Sequence, residues 1–259
     1  MAGSRALLWF RESTTDMTNF ISAIQFITIL PAGKPGAFEP KGMIQFFPVV
    51  GIIIGLLVSA FDIAVLQLWS KPVASALDVI FLAIITGAFH LDGLADTADG
   101  LLGHRPREDA LVIMKDSRIG VMGLVAVICI LAIKWGGIAS LDVHRSLLLV
   151  IIPAYARGSI LFGIKFLKYG RPEGGTGHDL FSAPLKISAF WGLLIPVALS
   201  FFLGWRGVLL NLSFIIITAV ILLYYKKRIA CITGDMLGAM TEVIESMLFL
   251  MVSITISFS

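Results

Sequence analysis

Leu209-Leu-Asn-Leu-Ser-Phe-Ile-Ile-Ile-Thr-Ala-Val-Ile-Leu-Leu223 contains no charged residue and no alternation of apolar with polar positions. A strand of a membrane barrel alternates along ten-residue segments, so this run reads as a helix in hydrocarbon. Extended to residues 207–224, it approaches the roughly twenty residues a helix needs to cross about 30 Å of lipid. Comparable apolar blocks lie on either side of it, at about 43–69, 73–90, 119–139, 146–164, 187–204 and 237–257. The sequence therefore predicts an all-α fold, a polytopic membrane helix bundle of about seven transmembrane helices. Residues 20–30 are apolar but too short to span and stop at Pro31. Such a segment suits the interface, a place against the bundle, or half of a re-entrant pair.

Bulk composition agrees. Of 259 residues, 58% are hydrophobic and 14% charged, with a mean hydropathy of +0.94, whereas soluble domains run nearer a quarter charged. The net charge of +3 comes from 20 basic and 17 acidic residues, too even a balance to indicate nucleic acid as a partner. Cys129 and Cys231 stand far apart with no Cys-x-x-Cys spacing or nearby histidine pair, so neither a disulfide framework nor a zinc site is indicated and both read as packing residues. The first residues carry Arg5, Arg11, Glu12 and Asp16 without a signal-type apolar region, so no cleaved leader is expected. Without repeats or long linkers, residues 1–259 read as one domain.

Orientation follows from the loops. Arg5, Arg11, Lys34, Lys41, Arg105, Arg107, Lys115, Arg118, Lys165, Lys168, Arg171, Lys186, Lys226, Lys227 and Arg228 fall on one side, and Lys71, Arg145 and Arg206 on the other. Fifteen against three predicts a cytoplasmic N-terminus, with Lys134 near a span end and Arg157 inside one. The polar, glycine-bearing segments 90–120, 169–179 and 226–236 then share the cytoplasmic face of a cell (inner, or plasma) membrane, with membrane lipid around the bundle.

The densest chemistry lies in His90-Leu-Asp-Gly-Leu-Ala-Asp-Thr-Ala-Asp-Gly100. On a helix, Asp92, Asp96 and Asp99 stand at i, i+4 and i+7, within roughly 60° of one face. Carboxylates that close repel one another unless a cation lies among them, and hard oxygen donors suit Mg²⁺ or Mn²⁺ bridging to phosphates. A solvated loop after a membrane helix is the plain alternative. In Met114-Lys-Asp-Ser-Arg-Ile-Gly120, Lys115 and Arg118 fit headgroup anchors as well as phosphate partners, with Asp116 a ligand or base. Arg157 is costly in a span and calls for a polar cavity or a carboxylate, unless it snorkels. The glycines of Arg171-Pro-Glu-Gly-Gly-Thr-Gly-His178 could present N–H groups to phosphate or form an ordinary turn. Asp235, Glu242 and Glu245 make an acidic stripe running inward on the last helix, facing a ligand or, through Glu242, pairing with Arg157. Asp62 and Asp78, isolated from glycines, read as structural.

Together His90 to Gly100, Met114 to Gly120 and Thr233-Gly-Asp-Met-Leu-Gly-Ala239 resemble the signature blocks of the cobalamin-5′-phosphate synthase (adenosylcobinamide-GDP ribazoletransferase) family. Leu30-Pro31 and Phe46-Phe-Pro-Val-Val-Gly51 extend the resemblance over nearly the whole chain. It implies a Mg²⁺-dependent membrane transferase of vitamin B12 synthesis. Such an enzyme joins adenosylcobinamide-GDP to α-ribazole or its 5′-phosphate and releases GMP. A ribazole hydroxyl would attack the phosphorus attached to cobinamide, a reaction that depends on positioning and charge neutralisation. A metal on Asp92, Asp96 and Asp99 would supply that neutralisation, Asp99 or Asp116 would take the proton, and Lys115, Arg118 and Arg157 would balance the diphosphate. His90, Asp235 and Glu242 complete the expected substrate-binding set, and a homo-oligomer stays open. A phospholipid-headgroup transferase of the CDP-alcohol type would share the aspartates. A cation transporter would place its acids nearer the midplane.

Overall fold

A computed structural model of the chain describes residues 2–33, 40–171 and 177–254, with backbone alone for residues 2–14 and 41. Among the described residues the regular structure is helical, apart from one isolated bridge between Tyr169 and Ile232. In chain order the helices are α1 (Ala2–Ile27), α2 (Pro40–Met43), α3 (Phe47–Val65), α4 (Lys71–Ile85), α5 (Phe89–Leu101), α6 (Arg107–Ile113), α7 (Val121–Ala139), α8 (Arg145–Phe166), α9 (Leu194–Ser200), α10 (Trp205–Arg228) and α11 (Gly234–Val252).

Two helices form the centre. The first, α8, is buried along most of its length and packs along α3. The approach is close because Gly51 has no side chain: a Cβ there would lie 2.5 Å from the Ala154 Cα. Gly55, one turn on, faces the backbone of Val150 in the same way. This is the small-xxx-small contact that lets helices associate in lipid, where burial of apolar surface gives no preference for protein over solvent. The second, α11, packs against α5, α7, α8 and α10. By contrast, α7 and α10 turn many of their large apolar side chains outward, among them Val125, Ile128, Ile215 and Val220.

The expected count of seven spans is modified. Among the described residues four helices are long and apolar enough to cross by themselves, Ile44–Val65, Val121–Ala139, Arg145–Phe166 and Trp205–Arg228, and a fifth appears if α4 and α5 are taken as one. Those two meet at 89°, a corner in which Gly87 and Ala88 both take left-handed backbone (φ +59° and +56°). For Ala88 that conformation costs about 1–2 kcal/mol. The expected span at 187–204 is a mixed segment, 3₁₀ over Ile187–Leu193 and Phe201–Leu203 around α9. At the greater rise of a 3₁₀ turn it reaches about 30 Å with fewer residues. The last expected span, α11, holds Asp235, Glu242 and Glu245, and its polarity is answered inside the bundle.

Residues 20–30 take the packed alternative. The end of α1 buries Ala23 and Ile27, and Phe26 stacks on Phe47 at 5.9 Å between ring centroids. As expected, Asp62 and Asp78 are structural: Arg145 reaches Asp62 at 2.7 Å and Asp78 at 2.8 Å, and also donates to the Ser75 hydroxyl. One guanidinium thus pins α3, α4 and the start of α8 together.

Candidate active site

The acidic helix α5 lies across the first turns of both α7 and α11, and each crossing is set by a side chain that is absent. A Cβ on Gly93 would lie 2.6 Å from the Asp235 carbonyl oxygen. A Cβ on Gly123 would lie 2.5 Å from an Asp99 oxygen. These contacts place Asp92 and Asp96 of α5 beside Asp235 at the start of α11. Asp92 is exposed and Asp96 half-buried, and Asp96 lies in the field of Asp92, Asp235 and Asp99.

Arg171 is the cation of this group. Its Nη2 sits 2.7 Å from the Asp235 carboxylate and donates to the Met114 carbonyl at 3.1 Å. The backbone holds it there. Gly170 N donates to the Ile232 carbonyl at 2.9 Å and Ile232 N to the Lys168 carbonyl at 3.0 Å, tying the end of α8 to the strand-like entry of α11. The Thr233 hydroxyl caps α11 by accepting from Met236 N. Arg171 thereby joins three segments that the sequence placed on one face. The sequence reading counted it among the basic residues of one face and placed it at the start of a glycine loop, without a role at the acids; residues 172–176 of that loop lie outside the described residues.

Asp99 departs from expectation. Its two oxygens accept from Gly120 N at 2.7 Å and Gly123 N at 2.9 Å, so it caps the N-terminus of α7, where unpaired N–H groups and the helix dipole favour a carboxylate. Among the described residues no group of three or more His, Cys, Asp or Glu side chains stands close enough to hold a metal together. The expected three-aspartate metal set is therefore not assembled, and Asp92 and Asp96 are the two of its members that do not cap α7. That pair still fits Mg²⁺, which is commonly held by one or two carboxylates together with substrate phosphates.

Asp116 and Arg118 pair with each other on the loop before α7, the guanidinium reaching a carboxylate oxygen at 2.6 Å. Those hydrogen bonds hold the Asp116 carboxyl down at about 2. It is thus a poor proton acceptor near neutral pH, against the expectation of a catalytic base. Lys115 is exposed on the same loop, next to the Met114 carbonyl that Arg171 engages.

The remaining expected substrate contacts are interior. Glu242 is buried and pairs with Lys134 at 2.6 Å; Lys134 also lies 3.2 Å from Glu245, and Arg157 pairs with Glu245. Arg157 therefore faces the interior with a carboxylate partner, but that partner is Glu245 and not Glu242. These two cations and two anions balance in charge in the bundle core, out of contact with the open acidic face. His90 is also buried, behind Gly238 of α11, whose Cβ position would lie 3.2 Å from the His90 Cα. Substrate contact by His90, Arg157 and Glu242 is not supported by these positions. Lys134 was missed because it was read as a residue near a span end. Its place one turn and more inside α7 is the signal that identifies it.

The cobalamin-5-phosphate synthase family model matches residues 19–253. An adenosylcobinamide-GDP ribazoletransferase of Brevibacillus brevis is 34% identical over 243 residues, covering 90% of this chain and 97% of the relative. One of Alkaliphilus metalliredigens is 38% identical over 239 residues, covering 89% and 92%. One of Clostridium botulinum is 35% identical over 235 residues, covering 88% and 94%. No solved structure matches. A family match over nearly the whole chain, together with relatives at least 34% identical over most of their length, shows that the protein belongs to the cobalamin-5-phosphate synthase family.

Proposed function

We propose that the protein transfers the adenosylcobinamide phosphate of adenosylcobinamide-GDP to α-ribazole or its 5′-phosphate, yielding adenosylcobalamin or its 5′-phosphate and GMP. The observation that carries this reading is the meeting of Asp92, Asp96, Asp235 and Arg171 where α5 crosses the start of α11, in a chain whose relatives bear that enzyme's name. Asp92 and Asp96 would hold Mg²⁺, which when bound supplies charge neutralisation to the diphosphate. Arg171 meets the diphosphate oxygens, for which its planar fork is suited, and exposed Lys115 lies near enough along the chain to assist. In doing so Arg171 leaves Asp235. The freed carboxylate then accepts the proton of the ribazole hydroxyl as the new oxygen–phosphorus bond forms and the bond to GMP breaks. The acidic face is turned to the cytoplasm of a plasma membrane, on the fifteen-to-three distribution of basic residues.

Purified protein in detergent, given both substrates, should release GMP only when both and Mg²⁺ are present. Release from adenosylcobinamide-GDP alone, or consumption of CDP-diacylglycerol in its place, would overturn the assignment. Reporter fusions after Gly103 and Lys227 should read cytoplasmic, and an external reading at either would reverse the orientation.

A further inference from the structure

On the opposite side of α5 from the carboxylates, a cavity of about 380 Å³ separates α7 from α10. Both helices pack on α11, and the floor between them is made by Ala239 and Val243 of α11 and by Leu94 and Ala98 of α5. Its volume lies within the range of small-molecule sites, about 300–1,000 Å³, and its lining is almost entirely carbon. The walls continue directly into the exposed apolar faces of α7 and α10, represented by Ile128 and Leu223. One end lies at the polar boundary: Val220 and Tyr224 line the cavity, and Lys227, next on the same face of α10 at i+3 from Tyr224, is exposed. Arg228 is not available there, because it donates to the carbonyls of Gly103 and Arg105.

We propose that this groove binds one phospholipid, its acyl chain between α7 and α10 and an anionic headgroup at Lys227. Three features select a lipid over other occupants. The groove opens sideways onto surfaces that face hydrocarbon, so an acyl chain enters without crossing water. Its interior offers a water-soluble ligand almost no polar partners. A cation stands where a headgroup would lie, at the level marked by Tyr224, and aromatic and basic residues collect at that boundary. The lipid would fill the space behind α5 and hold that helix against α11, without touching the transferred group.

The test uses the full chain in mild detergent, stripped of lipid and then given phosphatidylglycerol or phosphatidylcholine, with bound lipid counted by native mass spectrometry. One phosphatidylglycerol per chain should be retained, in preference to phosphatidylcholine by about fivefold if Lys227 acts alone on the headgroup. Lys227→Glu should abolish the preference, and Ala126→Trp, which fills the groove from α7, should abolish retention. Cys129 lines the groove and is exposed, while Cys231 is buried. In the unaltered chain, alkylation of Cys129 by an apolar maleimide should therefore slow when phosphatidylglycerol is added. This reading needs no variant to fold. Retention unaffected by Ala126→Trp, equal binding of the two lipids to the unaltered chain, Cys129 reactivity indifferent to lipid, or Cys129 protection by dimerisation of lipid-free protein would each overturn the proposal.

Discussion

Replacing Lys134 by Met should destabilise the protein more than replacing Glu242 by Gln, although the two residues form one ion pair. The asymmetry comes from the network. Lys134→Met leaves Glu242 buried without its 2.6 Å partner, while Glu245 keeps Arg157. Glu242→Gln leaves Lys134 with Glu245 still 3.2 Å away. Stranding a buried charge costs about 3–5 kcal/mol, which for a chain of this size lowers Tm by roughly 10 °C. The Gln variant should lose clearly less. The double variant removes one cation and one anion together, leaves Arg157 with Glu245, and should recover most of the loss, a coupling of about 2–3 kcal/mol. Thermal unfolding in one detergent, followed for the four proteins side by side, measures this cycle. The double variant should also keep GMP release, because the pair does not reach the acidic face. A double variant as unstable as Lys134→Met, or a Gln variant worse than the Met variant, would refute the account of the network.

Asp99→Asn replaces one of two acceptor oxygens at the start of α7 and should lower Tm, at about 0.5–2 kcal/mol for a lost cap, with no change in the Mg²⁺ concentration needed for half-maximal rate. Asp92→Asn and Asp96→Asn should raise that concentration and leave Tm near its original value; the reverse pattern would return Asp99 to the metal. Gly93→Ala should cut GMP release strongly, since the new Cβ meets the Asp235 backbone at 2.6 Å and pushes α5 off α11; near-full activity would show that the crossing does not set the site. Because Arg118 holds Asp116 down at about 2, the pair forms at any pH above the ordinary carboxylate range and dissolves only as pH falls through about 2. Asp116→Asn should therefore leave the acid limb of the pH–rate profile in place, and a shifted limb would mark Asp116 as the titrating group.

Much of this architecture is readable along the chain because membrane helices are written in one dimension. Residues 207–224 fall within α10, and 119–139 and 146–164 differ from α7 and α8 by a few residues at most. Residues 187–204 mislead by length alone, since hydropathy does not report whether a turn is 3₁₀ or α. Within α5 the i, i+4 spacing correctly puts Asp92 and Asp96 together. It also groups Asp99 with them, although Asp99 is claimed by amides 21 and 24 residues further on. No periodicity within one helix carries that information. Lys134 follows from the same gap: its depth depends on where α7 begins, and Asp99 fixes that start.

The glycines around the acids teach a related point. In the sequence Gly93, Gly100 and Gly238 stand within three residues of Asp92, Asp99 and Asp235, where a small side chain would leave space beside each acid. In the fold Gly93 meets the backbone of Asp235, Gly100 meets Met114 and Gly238 meets His90. The space is taken by neighbouring segments, and its use is to bring them within reach. Without side chains at these positions α5 can lie across α11, and only that crossing sets Asp92 and Asp96 beside Asp235 and Arg171. The glycines thus act on the reaction through the backbone, by deciding which carboxylates share one face.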